Sequence, residues 1–283
     1  MNCRAPDRTF QRHGDGRDGH GTNFFSFAAC RPKNQRKGTT FGEETTMSFR
    51  HVTLTELPID ERPIDRTHLK GINFTIDSTW DGKSLDHDAV VGRMEWMFQH
   101  PKSGGQGFKA PKRVIKVTFE APLFEDPEPD EYTGILPELL NYNAVEFFFA
   151  NAKNQYLEVA VGPHGHWLCK LHDGYRIPFN RGEQIELAVT NLFKDDKWHC
   201  SFELPIAYLP PKVTKFNAYS IHGTTPNRMC DALYPLTDGN EEKPDCHKLE
   251  YFRLIDMRRL IPSGFNADAV DDPLHGDMWK EQA

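Results

Sequence analysis

Residues 143–168 read NAVEFFFANAKNQYLEVAVGPHGHWL, and their periodicity decides the fold. Val145, Phe147 and Phe149 alternate with Ala144, Glu146, Phe148 and Ala150. Leu157, Val159 and Val161 alternate with Tyr156, Glu158 and Ala160. A period of two belongs to a strand, whose successive side chains point to opposite faces. Pro163-His164-Gly165 then supplies a turn before Trp167 and Leu168. If the two runs are hairpin neighbours, Glu146 and Glu158 share one face, opposite the valines and phenylalanines.

The same pattern extends outward in both directions. Phe74 and Ile76 alternate with polar neighbours and are followed by a Trp80-Asp81-Gly82 turn. Ile115, Val117 and Phe119 alternate with Lys116, Thr118 and Glu120. Ile185, Leu187 and Val189 form another run, Trp198, Cys200, Phe202 and Leu204 the next, and Lys215 to His222 the last. Many short, turn-punctuated runs without a long helical pattern predict an all-β fold, an antiparallel β-sandwich rather than a βαβ sheet. Short helical turns are expected over Leu204–Leu209 and Leu254–Leu260.

The domain is expected to span residues 71–262. Residues 1–46 are polar, Gly- and Arg-rich and aperiodic, so they cannot bury enough surface to offset ordering entropy and are expected to be disordered. Met47 offers an alternative start. Residues 47–70 form a lead-in interrupted by Pro58 and Pro63. Residues 99–113 are a Gly- and Pro-rich loop, and residues 263–283 a loosely packed tail in which Trp279 is the exception to a polar, acidic composition.

Composition narrows the function classes. The net charge of −7 over 283 residues argues against a dedicated nucleic-acid binder. No apolar run is long enough to cross a membrane. The six cysteines are too sparse for a disulfide framework and imply a reduced, cytoplasmic setting. The excess of Arg and Lys over acid in residues 1–46 also suits a mitochondrial presequence.

Several motifs in order carry a resemblance. They are Asn143 to Phe149, Tyr156-Leu157-Glu158-Val159, Gly162-Pro163-His164-Gly165 with Trp167, and Leu209-Pro210-Pro211-Lys212 running to Asn217. Ile221-His222-Gly223, Ala232-Leu233-Tyr234-Pro235, Leu249-Glu250-Tyr251-Phe252 and Gly276-Asp277-Met278-Trp279-Lys280 complete them. Together they resemble an uncharacterised eukaryotic family, the one labelled by human chromosome 4 open reading frame 33. More distantly, the core strands and the Trp198 to Ile206 segment are similar to family 9 carbohydrate-binding modules. The second resemblance implies a sandwich that grips sugars.

Candidate site residues follow from the strand faces. Glu146 and Glu158 would accept hydrogen bonds from hydroxyls. As a pair they also have the residue types of a glycosidase, although nothing in the sequence marks a tuned acid. Tyr142, Asn217 and Tyr219 offer polar and aromatic contacts, and His164 and His222 are further ligand-binding candidates. Strand alternation places His222 on the face opposite Asn217 and Tyr219.

His164 and His166 form a His-x-His, but no zinc-type spacing accompanies them, so no metal and no cofactor is expected. Cys246-His247 is adjacent in sequence only and does not make a catalytic pair. The expectation is a non-catalytic module binding a carbohydrate or small molecule, with no nucleic-acid or membrane partner. A hydrolase using Glu146 with His164, or a protein-interaction scaffold, are the competing classes.

Overall fold

The computed structural model describes residues 68–99, 112–179, 185–236, 242–262 and 278–279. The expected tail over 1–46, most of the 47–70 lead-in and most of the 99–113 loop lie outside these residues. In chain order the strands are β1 (Ile72–Ile76), β2 (Ser78–Thr79), β3 (Val90–Gln99), β4 (Lys112–Pro122), β5 (Gly134–Ile135), β6 (Ala144–Ala150) and β7 (Gln155–Val161). They continue with β8 (His166–Asp173), β9 (Ala188–Lys194), β10 (Lys197–Pro205), β11 (Lys215–His222), β12 (Met229–Ala232) and β13 (Arg253–Leu254). Helical structure among the described residues is confined to 3-10 turns, two of them at Ile206–Tyr208 and Met257–Arg259.

Two sheets form the sandwich. The smaller runs β1-β3-β4-β10-β9 and is antiparallel throughout. The larger runs β2-β12-β11-β6-β7-β8-β5, with β13 added to β11. Here the short β5 alone among the described strands pairs in parallel, on β8. The β6–β7 hairpin sets Glu146 opposite Ala160 and Phe148 opposite Glu158, so the two glutamates do share a face.

The core lies between the sheets. Phe74, Phe119 and Phe202 of the smaller sheet meet Phe147 of the larger one, at ring-centroid distances of 5.5, 6.0 and 5.4 Å. Each fully buried phenylalanine contributes about 1.5–3 kcal/mol relative to exposure. Gly92 makes this packing possible, because a Cβ there would fall 2.2 Å from the Phe74 ring and 2.8 Å from Phe119 Cβ.

The smaller sheet alternates cleanly. In β10, Trp198, Cys200, Phe202 and Leu204 are buried while the residues between them are half-exposed. In contrast, β6 and β7 are buried at every position. The outer face of the larger sheet is roofed by residues around Cys246, His247, Leu249 and Phe252, which pack on Phe148, Tyr156 and Tyr219.

Two further differences from the sequence-based expectation have local causes. Ile185 and Leu187 are buried as their alternation suggests, yet ladder pairing begins at Ala188 and continues through the more polar Asn191 and Lys194. Of the expected 263–283 tail only 278–279 lie within the described residues, and there Trp279 is buried against Phe179, its indole N–H donating to the Tyr208 carbonyl at 3.2 Å.

Candidate functional site

Strand register brings Glu146, Glu158, Asn217 and Tyr219 onto the outer face of the larger sheet. There they are enclosed: Glu146 and Glu158 are each 1% exposed, and Asn217 and Tyr219 are buried too. Glu158 Oε2 accepts from His172 Nε2 at 2.6 Å, and Lys170 Nζ lies 3.8 Å from its other oxygen. Tyr156 stacks on His172 at 4.3 Å. Its hydroxyl accepts from the Arg176 backbone N–H at 2.9 Å and donates to His247 Nδ1 at 2.8 Å. Asn217 Nδ2 donates to the Tyr219 hydroxyl and to the Tyr234 carbonyl. The roof is latched by Asp245, which accepts from Tyr175 at 2.5 Å and from Arg176 at 2.9 Å.

The electrostatics set the two glutamates apart, and neither Glu146 carboxyl oxygen has a hydrogen-bond partner among the described residues. Burial, with the Cys246 thiol and Glu158 adding to it, pushes the Glu146 carboxyl well above the usual carboxylate range. Burial pushes Glu158 up as well, but the His172 hydrogen bond and the Lys170 ammonium outweigh it and hold that carboxyl low. Burial lowers His247 to about 4, so its imidazole stays neutral. A carboxyl held high at Glu146 beside one held low at Glu158 resembles the division of labour in glycosidases. Here the face is closed over by the roof.

The other expected residues lie elsewhere. His164 sits on the β7–β8 turn, 3.4 Å from Glu128 and packed near Phe193. It is not brought to Glu146, whose register partner Ala160 is deeper in the hairpin. His166 is buried, with Nε2 donating to the Glu131 carbonyl at 3.0 Å. Tyr142 follows the 3-10 turn Leu139–Asn141, and its carbonyl accepts from Arg228. His222 points to the inner side of the larger sheet, near His87 and Asp231. The expected set therefore divides among the roofed cluster, the β7–β8 turn, the Tyr142 turn and the end of β11.

Among the described residues, an open concavity lies on the other sheet. A trough of about 710 Å³ runs over the outer face of the smaller sheet. Its floor is one continuous row across all five strands: Asn73 pairs with Arg93, Arg93 with Thr118, Thr118 with Ser201, and Ser201 with Thr190. The next row holds Thr75, Val91, Glu120, His199 and Leu192.

Arg93 is fixed in place, donating to Asn73 Oδ1 and to the Lys70 carbonyl, each at 2.8 Å. Lys197 bonds Glu120, and His199 Nδ1 lies 3.6 Å from the same carboxylate. Short hydroxyl side chains at Thr118, Ser201 and Thr190 leave the central depth of the trough. Alternation in β4 and β10 places Thr118 and Ser201 on this face. What a strand-by-strand reading lacks is the register that aligns them with Asn73 and Thr190.

No protein-family model matches the chain. A solved structure from Bacteroides uniformis, of a candidate carbohydrate-binding protein, aligns with a TM-score of 0.43 at 10% identity, over 65% of this chain and 85% of that one. Curated relatives are much nearer. Human UPF0462 protein C4orf33 is 34% identical over 219 residues, covering 74% of this chain and 94% of the relative. The mouse homologue is 35% identical over 196 residues, covering 67% and 94%. The zebrafish homologue is also 35% identical over 196 residues, covering 67% and 91%. The family that the ordered motifs resemble is thus the one these relatives represent, and the chain belongs to the UPF0462 family of C4orf33.

Proposed function

We propose that the protein is a non-catalytic binding module whose ligand lies in the trough on the smaller sheet, and that the ligand is an extended, hydroxyl-rich molecule such as an oligosaccharide. The observation that carries this reading is the Asn73–Arg93–Thr118–Ser201–Thr190 row. Neighbouring strands lie about 4.8 Å apart, close to the repeat of one pyranose unit in an extended glycan. A chain crossing the strands would therefore meet a polar side chain at each residue. Hydroxyls and amides both donate and accept, which suits a ligand that does the same.

Val91 and Leu192 are exposed in the adjoining row and supply apolar contact to sugar C–H faces. The trough's lining has no exposed aromatic platform. Binding then rests on hydrogen bonds, and longer oligosaccharides are favoured over single sugars because each added unit engages another strand.

A direct test is an oligosaccharide microarray probed with wild type and Ser201→Arg, followed by calorimetry on the hits. Arginine at the middle of the row fills the trough without entering the core. It is expected to weaken binding at least about tenfold while leaving the melting temperature unchanged. Equal binding by both proteins would exclude the trough.

A further inference from the structure

The structure assigns a second site, independent of the trough. We infer that His87, His222 and Asp231 hold one divalent transition-metal ion, zinc in the first instance, with a fourth position open towards solvent.

Asp231 faces Ser220 and His222 faces Met229 in the β11–β12 ladder, so His222 and Asp231 are diagonal neighbours on one sheet face. His87 arrives from the connection between β2 and β3. Asp231 is 1% exposed and His222 8%. Neither Asp231 carboxylate oxygen makes a hydrogen bond, and neither does His222 Nε2. Three buried polar atoms facing one another without partners carry a desolvation cost that a bound group would relieve.

The geometry selects the group. Asp231 Oδ2 lies 3.3 Å from His222 Nε2 and 3.5 Å from His87 Nε2. One ligand atom from each residue falls within 4.8 Å of the others. Zinc at about 2.0–2.2 Å from nitrogen and oxygen ligands in a tetrahedron sets those atoms about 3.3–3.5 Å apart. His87 Nδ1 is 2.9 Å from the Asp88 carbonyl, which can only accept. That bond places the proton on Nδ1 and leaves the Nε2 lone pair facing Asp231, as in metal-binding histidines oriented by a backbone carbonyl.

The rings are held as well. Phe124 stacks flat on His222 at 3.8 Å, and His87 packs edge-on to both. The His87 side chain is 17% exposed, which leaves a route for the ion and a place for water. Two imidazoles and a carboxylate are a zinc donor set. The second cluster of suitable residues, Glu158, His172 and His247, differs because its members already bond one another or Tyr156.

The test uses the untagged full chain, stripped with chelator and titrated with Zn(II) against a chromophoric competitor, with Co(II) as a spectroscopic probe. One equivalent of zinc is expected to bind, raising the melting temperature, and Co(II) should show tetrahedral d–d bands. His87→Gln, in a partly exposed connection, and Asp231→Asn should each weaken zinc binding by about 100-fold or more. Circular dichroism checks that both variants stay folded. The inference is overturned if wild type binds no zinc. It is equally overturned if binding survives both substitutions and is lost on His172→Gln, which would place the ion in the roofed cluster.

Discussion

Phe147→Ala is expected to lower the free energy of unfolding by about 3–5 kcal/mol, the range for truncating a well-packed buried phenylalanine. Phe147 is fully buried and touches rings from three strands of the opposite sheet: Phe74, Phe119 and Phe202. The loss has two parts. The removed ring atoms no longer contribute their transfer free energy on burial, and the void between the sheets closes only in part because strand positions are fixed by their ladders. Urea denaturation followed by tryptophan fluorescence reads it as a lower midpoint at unchanged slope. A change under about 1 kcal/mol would mean that the sheets do not meet at this point.

The two buried glutamates should respond oppositely to the same substitution. Glu158→Gln removes the charge that pairs with His172 and Lys170. It is expected to cost about 3 kcal/mol, the low end for removing one member of a buried pair, because the amide oxygen still accepts from His172. Glu146→Gln replaces a carboxyl that burial already keeps neutral, so it should cost little at mildly acidic pH.

The pH dependence separates them further. The Glu146 carboxyl titrates above its ordinary 4.5 in the fold, so wild type loses stability as pH rises from 4.5 towards that raised value. Glu146→Gln does not, and its melting temperature should gain on wild type as pH rises to neutrality. Glu158 titrates below 4.5 in the fold, so the stability it contributes is present above 4.5 and lost as pH falls through the lower value. His247 adds an acid-side loss common to wild type and Glu146→Gln, between its ordinary 6.5 and about 4, where the unfolded chain takes up a proton first. Paired melting curves across this range decide the matter, and a Glu146→Gln difference that is flat with pH would contradict the assignment.

Much of the fold was legible because two-residue alternation is a local signal. The run from Lys215 to His222 matches β11 end to end, and alternation in β6 and β7 placed Glu146 and Glu158 on one face. Strands of two residues, such as β2, β5 and β13, are too short to show a period. The face holding Glu146 read as solvent- or ligand-facing because its roof comes from Cys246 to Phe252. That segment has no strand pattern and lies some hundred residues downstream of Glu146.

The same limit hides both proposed sites. Ser201 and Asn73 join one row only through the pairing of β1, β3, β4 and β10. His87 meets Asp231 only because β2 and β12 are neighbours in the larger sheet. No spacing rule links residues so far apart in sequence.

The central claim is that ligands bind the smaller sheet and not the roofed face of the larger one. Backbone amide spectra of isotope-labelled protein, titrated with the strongest microarray oligosaccharide, test it most directly. Shifts should concentrate at Asn73, Arg93, Thr118, Thr190 and Ser201 and spare Glu146, Glu158 and residues 245–252. Shifts centred on the roof, or no oligosaccharide that perturbs the trough, would contradict the account.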